Sequence, residues 1–203
     1  MTLDTELESI YIVGSFGVES QSPFTNGERQ AVYTDGPFVL TEMPNDVTTG
    51  DLVRQGFPFF AGTLRVQQLL YVEANEIAEA KWHYALPPDT IVNKLRINGD
   101  EVRSFLWEPY EADISPWLRI GENLIEIELT NSCRNLLGPH HHIQGEIYKV
   151  GPSSFTDTPG WTDRGVEKGT PMYTNRYCFV QFGLQASPYI RYTNKEVSYV
   201  SND

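Results

Sequence analysis

The sequence predicts an all-β fold, two stacked sheets forming a β-sandwich of jelly-roll topology. Three observations predict it. Apolar residues recur with period two rather than 3.6. The 16 glycines and 13 prolines fall between the apolar runs and punctuate them. No window of about 12 residues carries the apolar stripe of an amphipathic helix.

Taken in chain order, extended runs occur at 10–13, 30–33 and 38–40. In the next, Leu64, Val66, Leu70 and Val72 alternate with Arg65, Gln67 and Tyr71, and Gln68 breaks the apolar side. A run at 78–84 follows. Leu95 and Ile97 alternate with Lys94 and Arg96, then Asn98-Gly99 intervenes before Val102. An Asn-Gly pair between extended runs predicts a type I′ hairpin, because both central residues must reach positive φ. Residues 113–118 predict one short turn, with Asp113 or Ser115 as cap and Pro116 early in it. Ile125, Ile127 and Leu129 alternate with Glu126 and Glu128, the clearest strand in the chain. Runs at 143–150, 177–182 and 189–192 complete the set. Residues 20–29 and 151–170 read as loops, the second carrying Trp161.

A length of 203 residues suits one domain, residues 1–203, in which 1–49 add N-terminal edge strands. Acidic residues outnumber basic ones 27 to 15, a formal net charge of −12. A field of that sign repels phosphate, so neither nucleic acid nor an anionic membrane is an expected partner. A neutral sugar is not repelled. The N-terminus lacks the basic and apolar regions of a signal peptide, and no stretch reaches the roughly 20 apolar residues of a membrane span. The chain as it stands is expected to be soluble and cytoplasmic, although a parent polypeptide could be exported. Cys133 and Cys178 are too few for a disulfide framework, and two free thiols are the expectation over one bridge.

Three segments carry a resemblance to a known family. They are GDLVRQGFPFFAG at 50–62, the series LRING (95–99), WEPY (107–110), DI (113–114) and GENL (121–124), and NSCRNLLGPHHH at 131–142. VGPSSF at 150–155 and YCFVQFG at 177–183 accompany the third. Together, over 50–193, they resemble the C-terminal galactose-binding-like, sugar-binding β-sandwich module of large rhamnosidase-like and family 2-like glycoside hydrolases. Residues 10–17 are similar to a short strand preceding that module. The resemblance implies a sandwich and a glycosidase neighbourhood, not an activity. The relatives carry a large upstream catalytic region, for which this chain has no room. A structural calcium ion is also expected of that class, with ligands the sequence does not name.

Candidate ligand contacts follow from chemistry. Asn131, Arg134 and Asn135 offer amide and guanidinium groups suited to a polyhydroxylated ligand; equally, they suit hydrogen bonds that fix a strand exit. Trp82, Trp107, Tyr110 and Trp161 are rings that either stack on a sugar or pack in the core. Trp107 is the leading one, because the Pro109-containing loop holds it out of the ladder. His140, His142 and Glu146 have the spacing His-x-His-x3-Glu, resembling half of a cupin metal motif, without the flanking glycines or a second half. The histidines otherwise bind backbone or contact a partner. Glu108, Glu111 and Asp113 cannot be paired into the two carboxylates of a glycosidase, and no catalytic residue is assigned. The expected function is a non-catalytic carbohydrate-binding or glycosidase-accessory module. The alternatives are a docking module whose 134–142 segment packs on a glycosidase catalytic domain, and a small cupin-like metal enzyme.

Overall fold

A computed structural model describes residues 10–74, 80–85, 92–143, 173–184 and 186–194, with 80–85 and 192–194 as backbone. The strands are β1 (Gly17–Ser20), β2 (Thr25–Asn26), β3 (Ala31–Thr34), β4 (Phe38–Thr41), β5 (Thr63–Val72) and β6 (Ala80–Ala85). They continue as β7 (Val92–Ile97), β8 (Asp100–Phe105), β9 (Glu111–Asp113), β10 (Gly121–Thr130), β11 (Tyr177–Val180) and β12 (Tyr189–Asn194). Every pairing is antiparallel. The largest sheet runs β5-β10-β7-β8, and two three-stranded sheets run β11-β3-β2 and β12-β6-β9; β1 and β4 form a ribbon. The chain is an all-β sandwich.

The period-two reading sorts the large sheet correctly. Ile125, Ile127 and Leu129 of β10 lie opposite Ile97, Leu95 and Asn93 of β7, on one face, and this face is buried. It forms one apolar cluster with Val32 of β3, Phe179 of β11 and Leu52, Phe57, Phe182 and Leu184 of the connecting segments. Full burial of each such side chain contributes roughly 1.5–3 kcal/mol. On the outer face Glu126, expected to be wet, is only 5% exposed. Gln67 of β5 donates to its carboxylate at 2.8 Å, and the Arg65 guanidinium lies 3.6 Å away. Long neighbouring side chains cover the carboxylate from both sides.

The Asn98-Gly99 hairpin forms as expected, with φ of 54° and 92°. Asn98 also works at long range. Its Nδ2 donates to the Trp117 carbonyl and to Asn123 Oδ1, and its Oδ1 accepts from the Leu124 amide. The short turn is a 3-10 helix, Ser115–Trp117, whose Ser115 amide donates to Asp113 Oδ1 at 3.0 Å.

Two expectations need correction. Residues 10–13 pair with no described strand, and Ile10 and Val13 are each 94% exposed. Residues 1–49 do not supply edges alone: β3 is the middle strand of its sheet, and Val32 is fully buried. Arg134–Leu137 makes one turn of α-helix, α1. Trp161, Glu146 and the run at 143–150 beyond Ile143 lie outside the described residues, as does the Trp82 side chain. Cys133 is an exposed free thiol and Cys178 a buried one. Among the described residues no helix is long and apolar enough to cross a membrane.

Candidate functional site

The loop between β8 and β9 presents the more exposed of the two described indoles. Phe105 closes β8 inside the core, and Tyr110 re-enters against it with ring centroids 6.4 Å apart. Arg103 ties the two ends together: its Nη1 donates to the Glu111 carbonyl at 2.7 Å, and its guanidinium lies 5.4 Å from the Phe105 ring. Pro109 offers no N–H to a ladder. The intervening Leu106 and Trp107 are thrown outward, and Trp107 is 73% exposed. Of the two roles open to Trp107, core packing is excluded by this geometry. Tyr110 is half-buried and serves as the anchor.

Segment 131–142 behaves differently. The Asn131 amide donates to the Phe60 carbonyl at 3.0 Å and its Oδ1 accepts from the Ser132 amide. Asn135, 1% exposed, brackets Val180 of β11, donating to its carbonyl and accepting from its N–H, both at 2.8 Å. His140 Nε2 lies 2.9 Å from the Asn135 carbonyl and must therefore carry the proton. Its ring sits in an aromatic cluster with Phe59, Phe179 and Tyr177, at centroid distances of 5.6, 5.9 and 6.4 Å. His141 Nδ1 likewise donates to the Arg176 carbonyl at 3.0 Å. His142 is buried and bridges Tyr173 through its backbone. The half-buried Arg134 opens α1, its amide donating to Ser132 Oγ. The segment is a clip joining the end of β10 to β11, in which the side chains of Asn131, Asn135, His140 and His141 bond to backbone.

Burial pushes the imidazoles of His140 and His142 below the ordinary histidine value, with Arg134 adding to the effect at each and Arg29 at His142. Both are held neutral near pH 7, although at His140 the bond to the Asn135 carbonyl opposes the shift. Among the described residues no three His, Cys, Asp or Glu side chains gather as a metal site. Glu146, the third member of the metal motif, lies outside the described residues.

A feature absent from the sequence reading is a polar cleft of about 730 Å³ between the β1–β4 ribbon and the 53–56 turn. Glu19, Gln21, Phe24, Glu42, Asp46 and Arg54 contribute to its walls. Arg54 lies 5.8 Å from the Phe24 ring and donates to the Phe24 carbonyl at 3.1 Å, which leaves the exposed carboxylates and the Gln21 amide open to a ligand. Two closely packed glycines lie at the cleft or beside it, Gly56 in its lining and Gly17 next to Val18. A Cβ on Gly56 would meet Pro44 at 2.7 Å, and one on Gly17 would meet Thr41 at 2.7 Å. Those glycines, each far in sequence from its contact, were the only available signal.

No family model matches the chain, and no curated protein does. Among solved structures, a rhamnosidase from Novosphingobium sp. PP1Y is similar over 94% of this chain, with a TM-score of 0.48 and 15% identity. A β-D-glucuronidase from Dictyoglomus thermophilum is similar over 92%, with a TM-score of 0.41 and 19% identity. A Bifidobacterium dentium β-glucuronidase is similar over 59%, with a TM-score of 0.39 and 17% identity. This chain spans 16%, 29% and 21% of their respective lengths.

Proposed function

We propose that this chain is a non-catalytic carbohydrate-binding module of the glycosidase-accessory kind, recognising a neutral sugar through Trp107. The observation that carries this reading is the indole itself, exposed on a loop whose two ends are fastened by Arg103 and Tyr110. A flat ring held in water binds the C–H face of a sugar at little ordering cost. The motif resemblance over 50–193 supports the same class. Asn131, Asn135 and His140 then serve recognition indirectly, by fixing the scaffold. Binding is expected to be weak per sugar unit, since few directed hydrogen bonds accompany the stacking.

Calorimetric titration against a panel of neutral oligosaccharides is the test. Binding to at least one, weakened about tenfold or more by Trp107→Ala without a change in circular dichroism, is the expected result. Silence across the whole panel ends the proposal. Glu42→Gln reports separately on the polar cleft; loss of binding there with Trp107→Ala unaffected would move the sugar site to the ribbon.

The second reading, docking on a glycosidase catalytic domain, is favoured by one observation. The apolar residues Ile10, Tyr11, Ile12 and Val13 are all exposed and lie outside any described strand. Ile12→Ser with Val13→Ser would abolish co-elution with such a domain while leaving sugar binding intact.

A further inference from the structure

The inward face of β5 is interrupted by Gln68, the residue that breaks the apolar alternation in the sequence. In the structure Gln68 lies opposite Ile125, on the same side of the sheet as Val66 and Ile127. It borders a cavity of about 220 Å³ that reaches from solvent into the core. Leu52, Val66, Ile125, Ile127, Leu129 and Leu184 supply the apolar walls, and all but Val66 are less than 9% exposed. Gln68 itself is exposed, so it stands at the solvent side. The neighbouring Thr48 is already committed, its N–H and Oγ both bonded to Gln55 Oε1.

The cavity is built rather than left over. Its far wall is stitched by main-chain bonds from Gly50 to the Leu184 carbonyl and from Leu52 to the Phe182 carbonyl, and by the Asp51 carboxylate, which accepts from both Val53 and Phe182 amides. These bonds hold Leu52 and Leu184 together as one wall. Interiors otherwise leave few voids larger than one water, and an apolar void of about 150 Å³ stays dry and takes up benzene. A cavity larger than that, apolar in depth, with Thr49 and two amides in its lining of which Gln67 is bonded to Glu126 and Gln68 borders the solvent side, has the chemistry of a small-molecule pocket.

We propose that this cavity binds a small apolar molecule with a single hydroxyl or carbonyl group, the hydrocarbon part lying between the Ile125–Leu129 face and Leu52 and Leu184, the polar group on the Gln68 amide. The inference is independent of sugar recognition at Trp107.

The test titrates the full chain with benzyl alcohol and with toluene, following methyl resonances and thermal unfolding. Saturable one-site shifts at Ile125, Ile127 and Leu129 with a raised Tm are expected. Gln68→Leu, at an exposed position, should weaken benzyl alcohol about three- to tenfold, the worth of one neutral hydrogen bond, and leave toluene unchanged. Val66→Phe, which fills the space, should abolish both. Absence of saturable shifts up to the solubility limit overturns the proposal. So does a Gln68→Leu protein that keeps the full preference for the alcohol, or a folded Val66→Phe protein that still binds.

Discussion

Two buried amides, Asn135 and Asn93, set opposite expectations. Asn135 satisfies both polar groups of Val180, so Asn135→Leu strands a buried N–H and a buried carbonyl and is expected to cost about 2–4 kcal/mol in chemical denaturation. Asn93, fully buried on the inward face of β7, has neither side-chain atom hydrogen-bonded. Its amide pays desolvation without return. Asn93→Leu, similar in volume, is therefore expected to stabilise the chain by about 1–3 kcal/mol, and an unchanged or lowered urea midpoint would contradict this. His140 adds a pH dependence. Its folded value is depressed below the unfolded one, so its neutral form favours folding; that stabilisation is complete above the unfolded value and is lost as pH falls through the folded one. The urea midpoint should fall as pH drops below the ordinary histidine value of about 6.5, and less steeply in His140→Gln, whose amide can still donate to the Asn135 carbonyl.

Elements show where local chemistry suffices. The β7–β8 hairpin is specified by two residues whose backbone reaches positive φ. A Cβ on Gly99 would meet nothing within 4 Å, so Gly99→Ala should cost only its backbone term, about 1–2 kcal/mol, without structural change. β10 was equally legible, because three inward isoleucines and leucines alternate with glutamates along a strand paired on both sides. Residues 10–13 are just as apolar and yet pair with no described strand. Alternation states that a segment can lie on a sheet; it does not supply the neighbouring edge. The 131–142 clip shows the converse. Its asparagines and histidines have the composition of a ligand loop, and only the position of β11 reveals that their hydrogen bonds end on backbone.

Across the molecule, the core joins residues from Val32 to Leu184, and strands distant in sequence lie side by side, as β3 does between β2 and β11. The sequence by itself determined the class of fold, the hairpin and the short capped turn, all of which depend on interactions among residues a few positions apart. It singled out Trp107 while leaving its packing open. It also marked Gln68 as a flaw in an apolar row, without a meaning. Tertiary structure decided the rest: the central place of β3, the covering of Glu126, the burial of Asn135 and His140, the polar cleft and the cavity behind Gln68. Each of these arises where segments tens of residues apart meet, and the free energy of such a meeting belongs to the pair of surfaces, so neither segment records it alone.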